Sequence, residues 1–157
     1  TIRLDLIDDN SIVDSSLLPL VGTGIENGDF FEGEVYAIDA PPRVASIVAT
    51  GENPTDADSV VFVVSFSEVV ENVDITDFFL FKSMSADGNI ASVEPASELS
   101  AIFTVTVDSI TGSGVLRLDL DNDSSIQDVS PHTLVVDEGY FIGESYTINT
   151  PPSVKSS

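Results

Sequence analysis

The chain has no cysteine, no tryptophan, a single methionine and a single histidine, and only five of its 157 residues are Lys or Arg. Without cysteine there is neither a disulfide framework nor a thiolate metal site. His132 has no second His or Cys to join it, which leaves a zinc site without its usual ligand set. One histidine in one loop is also too little for a Ser–His–Asp arrangement. No apolar run approaches the roughly 20 residues that span a bilayer. No basic, apolar leader opens the chain, which starts mid-pattern at "TIRLDL" and reads as part of something longer. Neither GxGxxG nor a P-loop occurs. With no convergent site left, no enzymatic activity is expected.

What the chain has instead is acid. It carries 27 Asp plus Glu, 17 of them Asp, for a formal net charge of −22. Such a field repels nucleic acid and anionic membranes and attracts cations, so no nucleic-acid partner and no membrane insertion are expected. Divalent ions would relieve the self-repulsion that the folded state has to tolerate. At 42% hydrophobic residues the chain still has enough material for a core.

The apolar residues recur with period two. In "FTVTVD" Phe103, Val105 and Val107 alternate with Thr104, Thr106 and Asp108, and in "VLRLDLD" Leu116, Leu118 and Leu120 alternate with Arg117, Asp119 and Asp121. Phe62, Val64 and Phe66 share one face of "VVFVVSF", with Val61 and Val63 partly covered on the other. These runs read as antiparallel strands with one core face and one wet face. Shorter strands are expected at Val44–Ala49, Phe78–Phe81, Ile90–Val93 and Tyr146–Ile148, separated by turn signals at 50–59, 85–89 and 111–114. "VDITDF" is the best candidate for a helical turn, with Asp74 as its cap. The fold class that follows is all-β, an antiparallel β-sandwich of immunoglobulin type.

The chain also repeats itself. Residues 1–14 match 115–128 at eight of 14 positions, and 31–42 match 141–152 at seven of 12. A period of this size indicates a tandem array of domain-sized units. Each copy ends in Pro-Pro, a stiff element suited to a junction. The expected organisation is residues 1–40 as the C-terminal strands of a preceding repeat, 41–150 as a complete repeat, and 151–157 as linker. Forty residues rarely bury enough surface to fold alone. Residues 1–40 are therefore expected to compete with 111–150 for the sheet built by 44–107, and domain-swapped self-association would follow.

The segment "VSFSEVVENVDITDF", after "NPTDADSVVF" and before "GSGVLRLDL", "SIQD" and "GESYTINTPP", resembles a family of bacterial immunoglobulin-like repeats. These stand in tandem in very large secreted or surface proteins, including adhesins and proteins with hemolysin-type calcium repeats. The resemblance covers the whole chain. It implies a β-sandwich spacer that meets neighbouring repeats of its own chain, outside the cell or on the bacterial surface, in calcium-rich surroundings and without enzymatic activity.

The acidic loops are the main candidate chemistry, and Ca²⁺ is the candidate cation, because it takes six to eight oxygen ligands. Asp8, Asp9 and Asp14 correspond to Asn122, Asp123 and Asp128, with Asp121 added. The spacing matches no EF-hand. The plainer alternative is that these are turn residues bonding local backbone. Glu68, Asp74 and Asp77 form a second candidate group, and Asp39 before the first Pro-Pro a third. Paired carboxylates can serve glycoside hydrolysis, but here they recur on polar faces and turns, which favours solvation or cation binding. The contrasting functional class is a module that recognises a carbohydrate or protein ligand through exposed loops. It would need exposed aromatics such as Tyr36, Tyr140 and Tyr146, yet the "GExYxI" context of Tyr36 and Tyr146 favours strand-anchoring core positions.

Overall fold

A computed structural model of the chain describes residues 1–22, 24, 26–121 and 124–150, with Glu138 described by its backbone alone. The chain is all-β and forms two compact units, Thr1–Asp39 and Ala40–Ser157. The second Pro-Pro and the expected linker at 151–157 lie outside the described residues.

The larger unit is built from β3 (Val44–Ala49), β4 (Val60–Glu71), β5 (Phe78–Lys82), β6 (Asp87–Pro95), β7 (Ser100–Thr111), β8 (Ser113–Asp121), β9 (Gln127–Asp128) and β10 (Tyr140–Asn149). One antiparallel sheet runs β10-β8-β5. The other runs β3-β4-β7-β6, with the short β9 on β4. All the strands expected from alternation are present, several of them longer than the pattern that announced them. The expected helical turn is a 3-10 turn over Ile75–Asp77 with Asp74 as N-cap.

The alternation puts the core where it should be. Val60, Phe62, Val64 and Phe66 of β4 and Phe103, Val105 and Val107 of β7 are buried from one sheet, and Leu116, Leu118 and Leu120 of β8 with Tyr146 and Ile148 of β10 from the other. Two sheets packed through such faces make a β-sandwich, each buried large side chain contributing about 1.5–3 kcal/mol. Phe62 meets Tyr146 edge-on at 5.2 Å between ring centroids. The half-burial of Val61 and Val63 matches the reading of β4 as covered on both faces. Phe79 and Phe81 of β5 are exposed, on the outward face of the strand whose Phe78 and Leu80 are buried.

The ends of this unit are tied by backbone bonds between segments far apart in sequence. Val135 N–H donates to the Pro42 carbonyl at 2.9 Å, Thr55 N–H to Thr147 O at 3.0 Å, and Asn149 N–H to Thr55 O at 2.8 Å.

The smaller unit reproduces a fragment of this architecture. β1 (Ile2–Arg3) pairs antiparallel with β2 (Val35–Tyr36), Ile2 opposite Tyr36 and Arg3 opposite Val35. The repeated positions in the larger unit pair identically, Leu116 opposite Tyr146 and Arg117 opposite Ser145. The bridge Val13–Pro19 extends the likeness, matching Gln127–Thr133, whereas Leu6 bridges to Phe30, one residue out of step with the Leu120–Phe141 pair of the larger unit. "FEGE" and "FIGE" need their glycine for one reason: a Cβ on Gly33 would overlap the Leu4 carbonyl oxygen, and one on Gly143 the Leu118 carbonyl oxygen. Among the described residues, every buried hydrophobic side chain lies between Ile47 and Ile148, so the smaller unit has no apolar core of its own.

Candidate functional site

The acidic candidates fall mostly on loops that follow a strand, where the backbone has left its ladder and its N–H groups need acceptors. Asp14 and Asp128 solve that problem the same way. Asp14 Oδ1 accepts from Ser16 N–H at 2.8 Å and Leu18 N–H at 3.0 Å. Asp128 Oδ1 accepts from Ser130 N–H at 2.8 Å and His132 N–H at 2.9 Å. Each aspartate amide closes the loop on the carbonyl four residues on, Leu18 or His132, at 3.0 Å. Asp14 is exposed, whereas Asp128 is buried.

Asp128 has a further contact that spacing did not announce: its Oδ2 lies 3.0 Å from His132 Nδ1. The histidine without a His or Cys partner therefore has a carboxylate partner four residues before it. Burial alone would raise the Asp128 pKa, but the amide and imidazole of His132 and the Ser130 amide outweigh it and hold the carboxyl below its usual value.

Asp8 is buried, with Oδ1 accepting from Asn10 N–H at 3.0 Å and Oδ2 from Gly28 N–H at 3.2 Å, while its own amide donates to Asp29 Oδ1 at 2.6 Å. It pins the 20-residue excursion between Asp8 and Gly28. Asp9 is exposed and accepts from Ser11 N–H at 2.9 Å; bonds from the Ser11 side chain and amide hold its pKa below the ordinary carboxylate value. Asp121 is exposed at the end of β8. Asp123, the counterpart of Asp9, lies outside the described residues. Asp39 is exposed.

Asp74 and Asp77 form a reciprocal cap. Asp74 Oδ1 accepts from Thr76 N–H at 2.7 Å, and Asp77 Oδ2 accepts from Asp74 N–H at 2.7 Å. Asp77 is fully buried and also accepts from Ser125 Oγ at 2.8 Å, which ties the 3-10 turn to the loop after β8. Glu68 is half-buried on β4. Among the described residues, none of Asp8, Asp9, Asp14, Glu68, Asp74, Asp77 and Asp121 belongs to a group of three carboxylate or imidazole ligand atoms within 4.8 Å of one another. Asp8, Asp14, Asp74, Asp77 and Asp128 are thus engaged with backbone donors, which is the chemistry of loop fixation.

A second device recurs on the strands. Arg117 binds Asp119 in a bidentate pair at 2.8 and 2.7 Å, and Arg3 binds Asp5 the same way at 2.6 and 2.9 Å. Arg117 also lies over the Phe81 ring, 4.7 Å from its centroid. Alternation assigned Asp119 to the wet face, but it is buried. The cause is the bulge between Ile142 and Ser145 of β10, beside which Gly143 N–H donates to Asp119 Oδ1 at 3.2 Å.

Of the tyrosines, Tyr146 is core, as its context implied, and its hydroxyl accepts from Gly51 N–H at 2.7 Å and donates to Val61 O at 2.9 Å. Tyr36 shares that context but is exposed, its hydroxyl 3.3 Å from Glu34 Oε2, because no described residue of its own unit covers that face. A shallow hollow of about 560 Å³ runs along Ile12–Gly22, and another of about 320 Å³ lies beside Gly51, Thr55 and Tyr146. Neither presents an exposed aromatic to a sugar ring. No helix among the described residues is long and apolar enough to cross a membrane. Comparison with known proteins finds no matching family model, no matching curated protein and no matching solved structure.

Proposed function

We propose that the chain is a structural spacer: one complete immunoglobulin-like sandwich repeat, at 41–150, preceded by the C-terminal strands of another, in a tandem array of a large extracellular or surface protein of adhesin type. The observation that carries the reading is the sharing of one design by residues 1–39 and 115–150. They share the pairing of Ile2 and Arg3 with Tyr36 and Val35, the Arg–Asp pair and the aspartate-closed loop. Repetition of a scaffold, with its polar chemistry spent on holding loops, supports a mechanical role over a catalytic one. The extracellular setting and the Ca²⁺-rich surroundings come from the family resemblance, and the net charge of −22 gives divalent cations a part in relieving repulsion.

The terminal ties support load-bearing in particular. Thr55 lies alongside β10 in a parallel bridge, as Arg43 does alongside Val135, and a pull on the two ends loads parallel segments in shear. Bonds loaded that way break together. Single-molecule pulling on the unit from residues 40 and 150 is expected to give one cooperative rupture, at a force lowered by Asn149→Pro, which deletes the donor to Thr55. Gradual low-force extension, unchanged by that substitution, would count decisively against a spacer.

A further inference from the structure

Residues 1–39 present a preformed apolar face whose counterpart in the same chain is completely covered. Ile2, Leu4, Tyr36 and Ile38 are 60–86% exposed, while their repeat equivalents Leu116, Leu118, Tyr146 and Ile148 are 0–1% exposed. The pairing of Ile2 with Tyr36 matches that of Leu116 with Tyr146, so the backbone is already in the arrangement that the covered face uses. An exposed apolar group of this size marks an interaction surface.

We propose that this face receives a half-sandwich of the kind that residues 40–114 form, the segment carrying β3 to β7. The proposal rests on the repeat reading above and adds the occupant. What such an occupant must supply can be read from the larger unit. There, β4 brings Phe62 edge-on to the tyrosine ring, and the main chain at Gly51 and Val61 supplies a donor and an acceptor for its hydroxyl. Among the described residues, the Tyr36 hydroxyl has the 3.3 Å contact to Glu34 in their place. The occupant is therefore a strand pair with a free N–H at its turn, a carbonyl opposite and an aromatic ring in step with Tyr36.

A second copy of this chain does not meet the need by exchanging strands. Each copy holds two C-terminal halves, 1–39 and 115–150, but one N-terminal half, and that one is already closed by Leu116, Leu118 and Leu120. Swapping moves the bare face from one half to another without covering it, which removes the drive for the domain swap expected from sequence. Charge argues for a donor on the same chain. Residues 1–39 hold nine acids against one Arg, and 40–114 hold eleven acids against Arg43 and Lys82. Two acidic pieces repel as free partners, and a short covalent connection overcomes this by effective concentration.

The test is an extended chain in which a second copy of residues 40–114 precedes Thr1, so that its last glycine joins Thr1 as Gly114 joins Val115. Hydrogen exchange is the readout. Amides of Leu4, Leu6 and Tyr36 are expected to gain protection of about 100-fold or more, approaching Leu118, Leu120 and Tyr146. Leu4→Asp in the extended chain is expected to abolish that gain and leave 115–150 protected. Exchange at Leu4 and Tyr36 unchanged by the extension overturns the proposal, and so does a gain that Leu4→Asp leaves intact. A concentration-dependent dimer of the original chain that protects Leu4 overturns the choice of occupant. Pulling on residues 40–150 is independent of all these outcomes, so failure here is distinguishable from failure of the spacer reading.

Discussion

The hydroxyl of Tyr146 accepts a hydrogen bond from the amide of Gly51 at 2.7 Å, across 95 residues of chain, and donates another to the carbonyl of Val61. It joins β10 of one sheet to Gly51 in the β3–β4 turn and to Val61 of β4 in the other, alongside the backbone bonds of Thr55 with Thr147 and Asn149. Tyr146→Phe keeps the ring and its edge contact with Phe62 but removes the acceptor of the amide of Gly51, an exposed residue, while the Val61 carbonyl keeps its bonds from Thr50. The expected loss is about 0.5–1.5 kcal/mol, the net worth of a typical hydrogen bond, measured by urea unfolding at constant m-value. A change of only a few tenths would mean that water takes over both bonds.

Leu4 and Leu118 are the same residue of the repeat in opposite surroundings, 86% and 0% exposed. Leu118→Ala is expected to cost about 2–5 kcal/mol, transfer plus cavity, and Leu4→Ala to fall within about 0.5 kcal/mol of no change. Equal costs at the two positions would show that residues 1–39 are covered in solution, and would direct attention to self-association.

Asp128 sets an acid limb. Its carboxyl is held below the value of about 3.9 that it has in an unfolded chain. Between the two values the unfolded state binds more protons than the folded one, so stability rises with pH there. The contribution is complete above about pH 4 and is lost as pH falls through the lower, folded value. Asp128→Asn is expected to lower the melting temperature at pH 7 and to shrink the further drop below pH 4. Parallel curves for both proteins from pH 7 to pH 2 would remove Asp128 from the acid response.

How far the sequence carried the fold follows from what alternation encodes. Phe62, Val64, Leu116, Leu118 and Leu120 were legible as core because period two fixes which side of a strand a residue occupies, whatever lies opposite. Coverage is a different matter. Tyr36 and Tyr146 share the context "GExYxI" and differ completely in burial, so no local pattern separates them; only the presence of the second sheet does. Asp119 shows the same limit at the site. Its alternation with Leu118 and Leu120 put it on the wet face correctly, yet the bulge at Gly143 buries it with a donor from the neighbouring strand. The Asp74 cap was legible because it is local, three residues from Asp77. The Asp77–Ser125 bond spans 48 residues and was not.

Ca²⁺ gives the sharpest separation between a cation-stiffened spacer and one that is merely acidic. The carboxylates of Asp8, Asp14, Asp74 and Asp128 accept backbone bonds, but each oxygen has two lone pairs, so loop fixation and ion coordination are compatible. Extracellular modules bind Ca²⁺ with Kd of about 10⁻⁴–10⁻³ M. At the tighter end of that range 2 mM is twenty times Kd, and a site present only in the folded state then adds about 1.8 kcal/mol, or roughly 4–6 °C for a domain of this size. The expected outcome is therefore a rise of that order in 2 mM CaCl₂, beyond NaCl at matched ionic strength, and reversed by chelation. Screening alone acts through ionic strength and raises both equally. Equal shifts would leave the 27 acids with solubility and loop closure as their work.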